Sequence, residues 1–173
     1  MSVNSPAAQE QAQRRCMSEL LISANAVIGL GVWTVIKIIM EAITRREEIL
    51  ELIPKEGPGA GIATAMIVIV FLAVIVLTIA DHIYIGLAAR AFALKKPHAP
   101  PCLILAAILL ILTIVSAVDS VVDLVTGNRQ VAEHASLITD LTLIYALISL
   151  IRSYNGIKRI RKAHRAAQTD SGR

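Results

Sequence analysis

Residues 57–80 read GPGAGIATAMIVIVFLAVIVLTIA, bounded by Glu56 on one side and Asp81 on the other. No charge falls inside this stretch, and beyond Gly61 only Thr64 and Thr78 interrupt its apolar run. A helix that crosses a hydrocarbon layer needs ~20 apolar residues, with ~17–25 tolerated. Strands of a transmembrane barrel instead alternate apolar and polar residues, and this stretch is continuous. It reads as a transmembrane helix.

Three further blocks extend the pattern. Leu20–Ile36 lies uncharged between Glu19 and Lys37; Pro97–Val118 has its only possible charge on His98; and Ala135–Ile151 contains Asp140. The 173 residues are 55% hydrophobic and 17% charged, against roughly 25% charged in average soluble domains. The chain is therefore short of polar surface for a water-soluble globule. The first block is longer than the ~7–15 apolar residues of a signal peptide, and no small-x-small cleavage site follows it. Arg14-Arg15 is followed by Cys16-Met17-Ser18-Glu19, where a twin-arginine signal would turn apolar. The block reads as a retained signal-anchor.

Orientation follows from the basic residues, which favour the cytoplasmic side of a membrane. Arg14 and Arg15 precede the first span, Arg90, Lys95 and Lys96 lie between the second and third, and Arg152, Lys158, Arg159, Arg161, Lys162 and Arg165 follow the fourth. The other two connections balance Arg45, Arg46 and Lys55 against Glu47, Glu48, Glu51 and Glu56, and Arg129 against Glu133. Four spans require both ends on one side, and the charges ask for the same. The expected fold is all-α: a polytopic membrane protein with four transmembrane helices in an up-down-up-down bundle, N-in/C-in. A cytoplasmic segment over 1–16 precedes a single transmembrane domain over 17–157, and a basic cytoplasmic tail over 158–173 follows it. The helices are expected at about 17–53, 59–94, 101–126 and 135–157, with a basic tail that can stay helical to about Ala167. The first either continues through TRREEILELIP past the outer surface or gives way to a second short interfacial helix after a kink, until Pro54 and Gly57-Pro58-Gly59 end it. A plasma or inner membrane is the expected location.

Charges inside or beside the spans are the candidates for function. Asn25, Gly29, Trp33, Lys37 and Glu41 recur at i+4 on the first span, while Thr113, Ser116, Ser120 and Asp123 share a face of the third, flanked by Asp119. At ~1.5 Å per residue, Asp119 lies ~27 Å from Pro101 and Lys37 ~26 Å from Leu20. Both belong to the outer quarter of the bilayer, and Asp140 enters the same layer from the fourth span. Lys37, Glu41, Asp119, Asp123 and Asp140 thus form one outer polar layer. Three readings apply. The groups contact water and headgroups; or Lys37 bridges Asp119 or Asp123 and fixes how the first and third helices meet; or the excess of acids makes a cation or proton site. An unpaired ion in hydrocarbon costs at least ~2.5–3.5 kcal/mol, which favours pairing.

A second constellation is Asp81 and His82, with Tyr84, Gly86 and Arg90 downstream on the second span. It reads either as a cytoplasm-facing proton relay or ligand contact, or as an acid and a histidine packed against Lys95, Arg152 or backbone groups. The packing reading is preferred.

Enzyme chemistry finds no footing. His82, His98, His134 and His164 are scattered without the spacing that a metal or haem requires. No Walker loop, HExxH or Ser-His-Asp order occurs. Cys16 and Cys102 form no CxxC and fall at expected cytoplasmic ends, where thiols stay reduced. No cofactor and no metal are expected. The basic tail has only Tyr154 to stack on bases, so anionic lipid headgroups, not nucleic acid, are its expected partner. The preferred function is a non-enzymatic structural or accessory protein that works through helix–helix contacts, as a homo-oligomer or with a membrane partner protein. Gly29, Gly31, Gly86, Ala89 and Ala93 would permit close helix approach. The alternative is a small-solute, cation or proton transporter or channel using the outward-facing acidic layer.

Overall fold

The computed structural model describes residues 6–51, 60–94, 102–126 and 131–170, all of them helical apart from single turns. The expected punctuation at Pro54, Gly57-Pro58-Gly59, Lys95-Lys96-Pro97 and Pro100-Pro101 lies outside the described residues. The elements are α1 (Pro6–Thr44), α2 (Arg46–Glu51), α3 (Ala60–Ala93), α4 (Cys102–Thr126) and α5 (Val131–Asp170). Four of them contain stretches long and apolar enough to cross a membrane: Glu10–Thr44, Gly61–Ala93, Cys102–Thr126 and His134–Ala163.

Three boundaries differ from the sequence reading. α1 begins at Pro6, not near 17, so most of the expected N-terminal segment is helix. A proline is tolerated there because the first-turn N–H groups lack intrahelical partners anyway. Of the two forms open for the stretch to 53, one long helix or a short second helix, the structure has the second, with the break at Arg45. The interruption is slight: Arg45 N–H still donates to Glu41 O at 2.9 Å, and Ile49 N–H to Arg45 O at 3.0 Å. α5 starts at Val131, not near 135, and continues to Asp170, so the basic tail stays helical slightly past the Ala167 that the sequence allowed. Gly156 is the only glycine or proline in α5, and one glycine costs only ~1 kcal/mol in a helix interior.

α1 packs against both α3 and α5, α4 packs against α5, and a smaller contact joins α3 to α4. The shared core takes Leu20, Ala24 and Val27 from α1, Ile85 and Ala89 from α3, Cys102 and Ala106 from α4, and Leu143, Leu147, Leu150 and Ile157 from α5. Polar pairs set the register of α1 on α5. Ser23 Oγ donates to Ser149 Oγ at 3.0 Å, and Ser153 Oγ to Glu19 Oε2 at 3.2 Å. Four residues back along α1 thus correspond to four residues forward along α5.

α3 meets α1 through small residues. Gly31 lies against the His82 ring, and Gly86 against Ile28 and the Ala24 carbonyl. At the far end of α3, Phe92 stacks on Tyr154 with ring centroids 3.9 Å apart. The Arg161 guanidinium lies 4.6 Å over the Phe92 ring and donates to the Phe92 carbonyl at 3.1 Å. That carbonyl belongs to the last turn of α3, where backbone acceptors lack helical donors and a cation is favoured. The other part of α3 behaves differently. From Gly61 to Asp81 no residue is buried, and Met66, Ile69, Leu72 and Val76 lie open. An apolar surface of this extent suits lipid and would be an aggregation hazard in water.

Replacing Gly86 with Ala places a Cβ 2.9 Å from the Ala24 carbonyl oxygen and against the Ile28 side chain. Overpacking of this kind costs ~1–3 kcal/mol. Thermal unfolding in detergent should show Gly86→Ala melting below the wild type, while Gly61→Ala, with open space around it, should not.

Candidate functional site

The polar groups of three helices converge on one point. Lys37 Nζ donates to Asp140 Oδ2 at 2.6 Å and to Ser116 Oγ at 2.7 Å; Ser116 Oγ in turn donates to the same Asp140 oxygen at 3.0 Å. The three groups close a triangle in which the serine both accepts and donates, as a hydroxyl can. The Lys37 and Asp140 side chains keep 17% and 7% of their surface exposed. Among the described residues the carboxylate partner of Lys37 is Asp140 of α5, so the bridge to Asp119 that the sequence allowed is not formed. The Asp123 side chain lies outside the described residues.

The direction of the lysine accounts for the difference. Continuing the Ser23–Ser149 register brings Asp140 level with Val32 of α1. Lys37 is five residues further on (37 against 32), about 7.5 Å along the axis. Side chains on a helix lean toward its N-terminus, so Lys37 reaches back toward the middle of the bundle. It does not snorkel outward. A lysine stem is long enough for this reach, and burial of its methylenes along α1 favours it. Thr113 and Ser120 of the α4 polar stripe are satisfied locally. Thr113 Oγ1 donates to Leu109 O at 2.7 Å and Ser120 Oγ to Ser116 O at 3.1 Å.

Beyond this triangle, toward the C-terminal ends of α1 and α4, lies a cavity of about 630 Å³. Trp33, Ile36 and Met40 of α1 and Val122 of α4 supply its apolar lining, while Glu41, Arg45, Asp119, Ser120 and Ser136 supply polar groups. Glu41 is exposed and lies 3.6 Å from Arg45 one turn along. Asp119 is exposed on the α4 wall and forms no ion pair or hydrogen bond among the described residues. Ser136 Oγ is buried without a partner among the described residues. The expected outer layer therefore divides: Lys37 and Asp140 form the buried floor, and Glu41 and Asp119 stand in the open wall.

The second constellation does not assemble. His82 is 1% exposed, with Nδ1 2.8 Å from the Thr78 carbonyl and Nε2 buried without a partner among the described residues. Asp81 beside it is half-buried, and Arg90 is exposed two turns away with no ion pair among the described residues. Also among the described residues, no group of three or more His, Cys, Asp and Glu side chains is placed to hold a metal ion. Comparison with protein-family models, with characterised proteins and with solved structures finds no match.

Two participants escaped the sequence reading. Ser116 was visible as part of a polar stripe, but nothing marked it as the hydroxyl that completes the ion pair. Arg161 was read only as part of a basic tail. The available signal was its position beside the Phe92–Tyr154 level of the bundle, which requires the helix register to recognise.

Removing one member of a buried ion pair leaves an uncompensated charge and costs ~3–5 kcal/mol, whereas apolar replacement of both is often neutral. Lys37→Met should therefore lower the unfolding midpoint in detergent steeply. Lys37→Met combined with Asp140→Leu should recover most of that loss. Equal melting of the single and double variants would contradict the buried pairing.

Proposed function

We propose that the chain is a non-enzymatic integral membrane protein whose role is exercised through self-association of a four-helix, up-down-up-down body. Both termini and the α3–α4 connection face the cytoplasm, and a plasma or inner membrane is its location. The support for this orientation is the placement of Arg14, Arg15, Arg90, Lys95, Lys96 and the α5 cluster at alternate ends of the spans. Lys158, Arg159 and Lys162 are exposed on α5. Anionic headgroups attract such juxtamembrane charges at ~1 kcal/mol each.

The observation that carries self-association is Asn25. It lies well inside the Glu10–Thr44 stretch, is exposed, and makes no hydrogen bond among the described residues. One turn on, Gly29 has nothing within 4 Å of where a Cβ would stand. An unpaired amide in hydrocarbon is costly, and a neighbouring glycine lets a second helix come close. An amide carries both donors and an acceptor. Across a two-fold axis, Asn25 of one copy can therefore satisfy Asn25 of the other, as an isologous interface requires. A second reading, solute or cation transport, draws support from the cavity beside Lys37. Against it, the cavity floor is the closed Lys37–Ser116–Asp140 triangle, with Leu143, Ala146 and Leu147 buried beneath.

Interhelical hydrogen bonds in membranes contribute ~0.6–2 kcal/mol, roughly threefold to thirtyfold in an association constant. Light scattering after size exclusion in mild detergent should find a concentration-dependent dimer. Asn25→Leu should shift it toward monomer. Gly29→Leu should do so more completely without lowering the melting point, because a Cβ there meets nothing within 4 Å in the protomer. A wild-type protein that remains monomeric at every concentration, in detergent and in nanodiscs, would overturn the proposal.

A further inference from the structure

The cavity above the Lys37–Asp140 floor has an electrostatic imbalance. Lys37 is matched by Asp140 at 2.6 Å, and Arg45 faces Glu41 at 3.6 Å. Asp119 is then the one carboxylate of the lining without a cation among the described residues. Its placement is specific. Ser116 bonds Asp140, which is level with Val32, so Asp119, three residues further along α4, comes level with about Val35. Trp33 and Ile36 of α1 flank that level and line the same cavity. A carboxylate thus faces an indole and an aliphatic wall across a space of about 630 Å³, within the ~300–1,000 Å³ of small-molecule sites. Ser136 Oγ, buried in the lining with no partner among the described residues, is a polar group still owed a hydrogen bond.

We propose that this cavity binds an organic monocation carrying an apolar body, with its charge set against Asp119 and its apolar part against Trp33, Ile36 and Met40. An anion would meet the unpaired carboxylate. A small hydrated metal cation would leave the apolar wall unsatisfied. A substituted ammonium or phosphonium suits both, because an aromatic face attracts such a cation while its hydrocarbon part is withdrawn from water. The shared chemistry, a cationic head on an apolar body, occurs in lipid headgroups and in free amphiphilic amines alike. Binding here is independent of self-association, since Asn25 and Gly29 are not part of the lining.

Trp33 is the only tryptophan of the chain, so its fluorescence reports on this cavity without background. The full chain in a neutral maltoside detergent is titrated with tetraphenylphosphonium and, separately, with tetraphenylborate, which has the same shape and the opposite charge. The phosphonium should change Trp33 emission saturably, and the borate should not. Loss of a hydrogen bond or contact to a charged group weakens binding by roughly tenfold or more. Asp119→Asn should weaken the phosphonium by that factor, and Asp119→Glu should restore most of it. Asp119 is exposed and unpaired, so both variants should melt with the wild type. Displacement of the phosphonium by added phosphatidylcholine or phosphatidylethanolamine identifies a lipid headgroup as the ligand source. Failure of lipid to displace it assigns the site to a free amine. A non-saturable response, equal binding of the borate, or an Asp119→Asn protein that binds as the wild type does overturns the proposal.

Discussion

Everything at one end of this protein hangs on a single buried contact, Lys37 Nζ to Asp140 Oδ2 at 2.6 Å. Two charges taken out of water lose several kcal/mol of hydration each, and their attraction recovers this only with good geometry and satisfied neighbours. Ser116 supplies that neighbour. It accepts from the ammonium and donates to the carboxylate, so α1, α4 and α5 share one polar knot. α1 and α4 stand apart beyond the knot, with the cavity between them. The knot therefore sets their spacing and defines where the cavity ends.

The other end is held by different means. Phe92 on Tyr154, with Arg161 over the ring and bonded to the last turn of α3, ties α3 to α5 through aromatic area and one charged cap. Around it the core is apolar, with Leu20, Leu150 and Ile157 fully buried. Aromatic stacking and apolar packing tolerate small displacements better than a charge pair does. The register along the α1–α5 seam is accordingly fixed by polar groups, Ser23 with Ser149 and Glu19 with Ser153, as well as by the knot. Hydrocarbon offers no hydrophobic drive between helices, so such polar pairs carry specificity that packing alone would not.

The helices were plain in the sequence because uninterrupted apolar blocks have one economical reading, and the four long helices fall on those blocks. The partner of Lys37 was not. Counting rise per residue locates backbones, and by that count Lys37 and Asp119 are level. The ammonium is elsewhere, because the side chain leans toward the helix N-terminus by about a turn. Asp140 therefore meets it, while Asp119, level with the backbone, is left at the cavity wall. The start of α1 was less legible. Polar residues between Pro6 and Cys16 suggested a frayed segment, and a helix can leave a membrane without ceasing to be helical.

His82 shows how the same principles dispose of a polar group that has no function to explain it. Its Nδ1 lies 2.8 Å from the Thr78 carbonyl, an acceptor, so Nδ1 carries the proton of the neutral ring and Nε2 is left an acceptor. Nε2 has no donor among the described residues. What holds the ring there is space. Gly31 offers a surface without a Cβ, and any side chain at that position would meet His82 Cβ and Cγ. The histidine fills the gap that a close α1–α3 approach leaves, and Asp81 and Arg90 stay outside it. A relay needs a second titratable group within reach of Nε2; Asp81 points about 100° round α3 from His82, and Arg90 lies about 12 Å further along it. The residue is best understood as shape with one hydrogen bond attached, and the polar knot at Lys37 begins less than two turns further along α1 from Gly31.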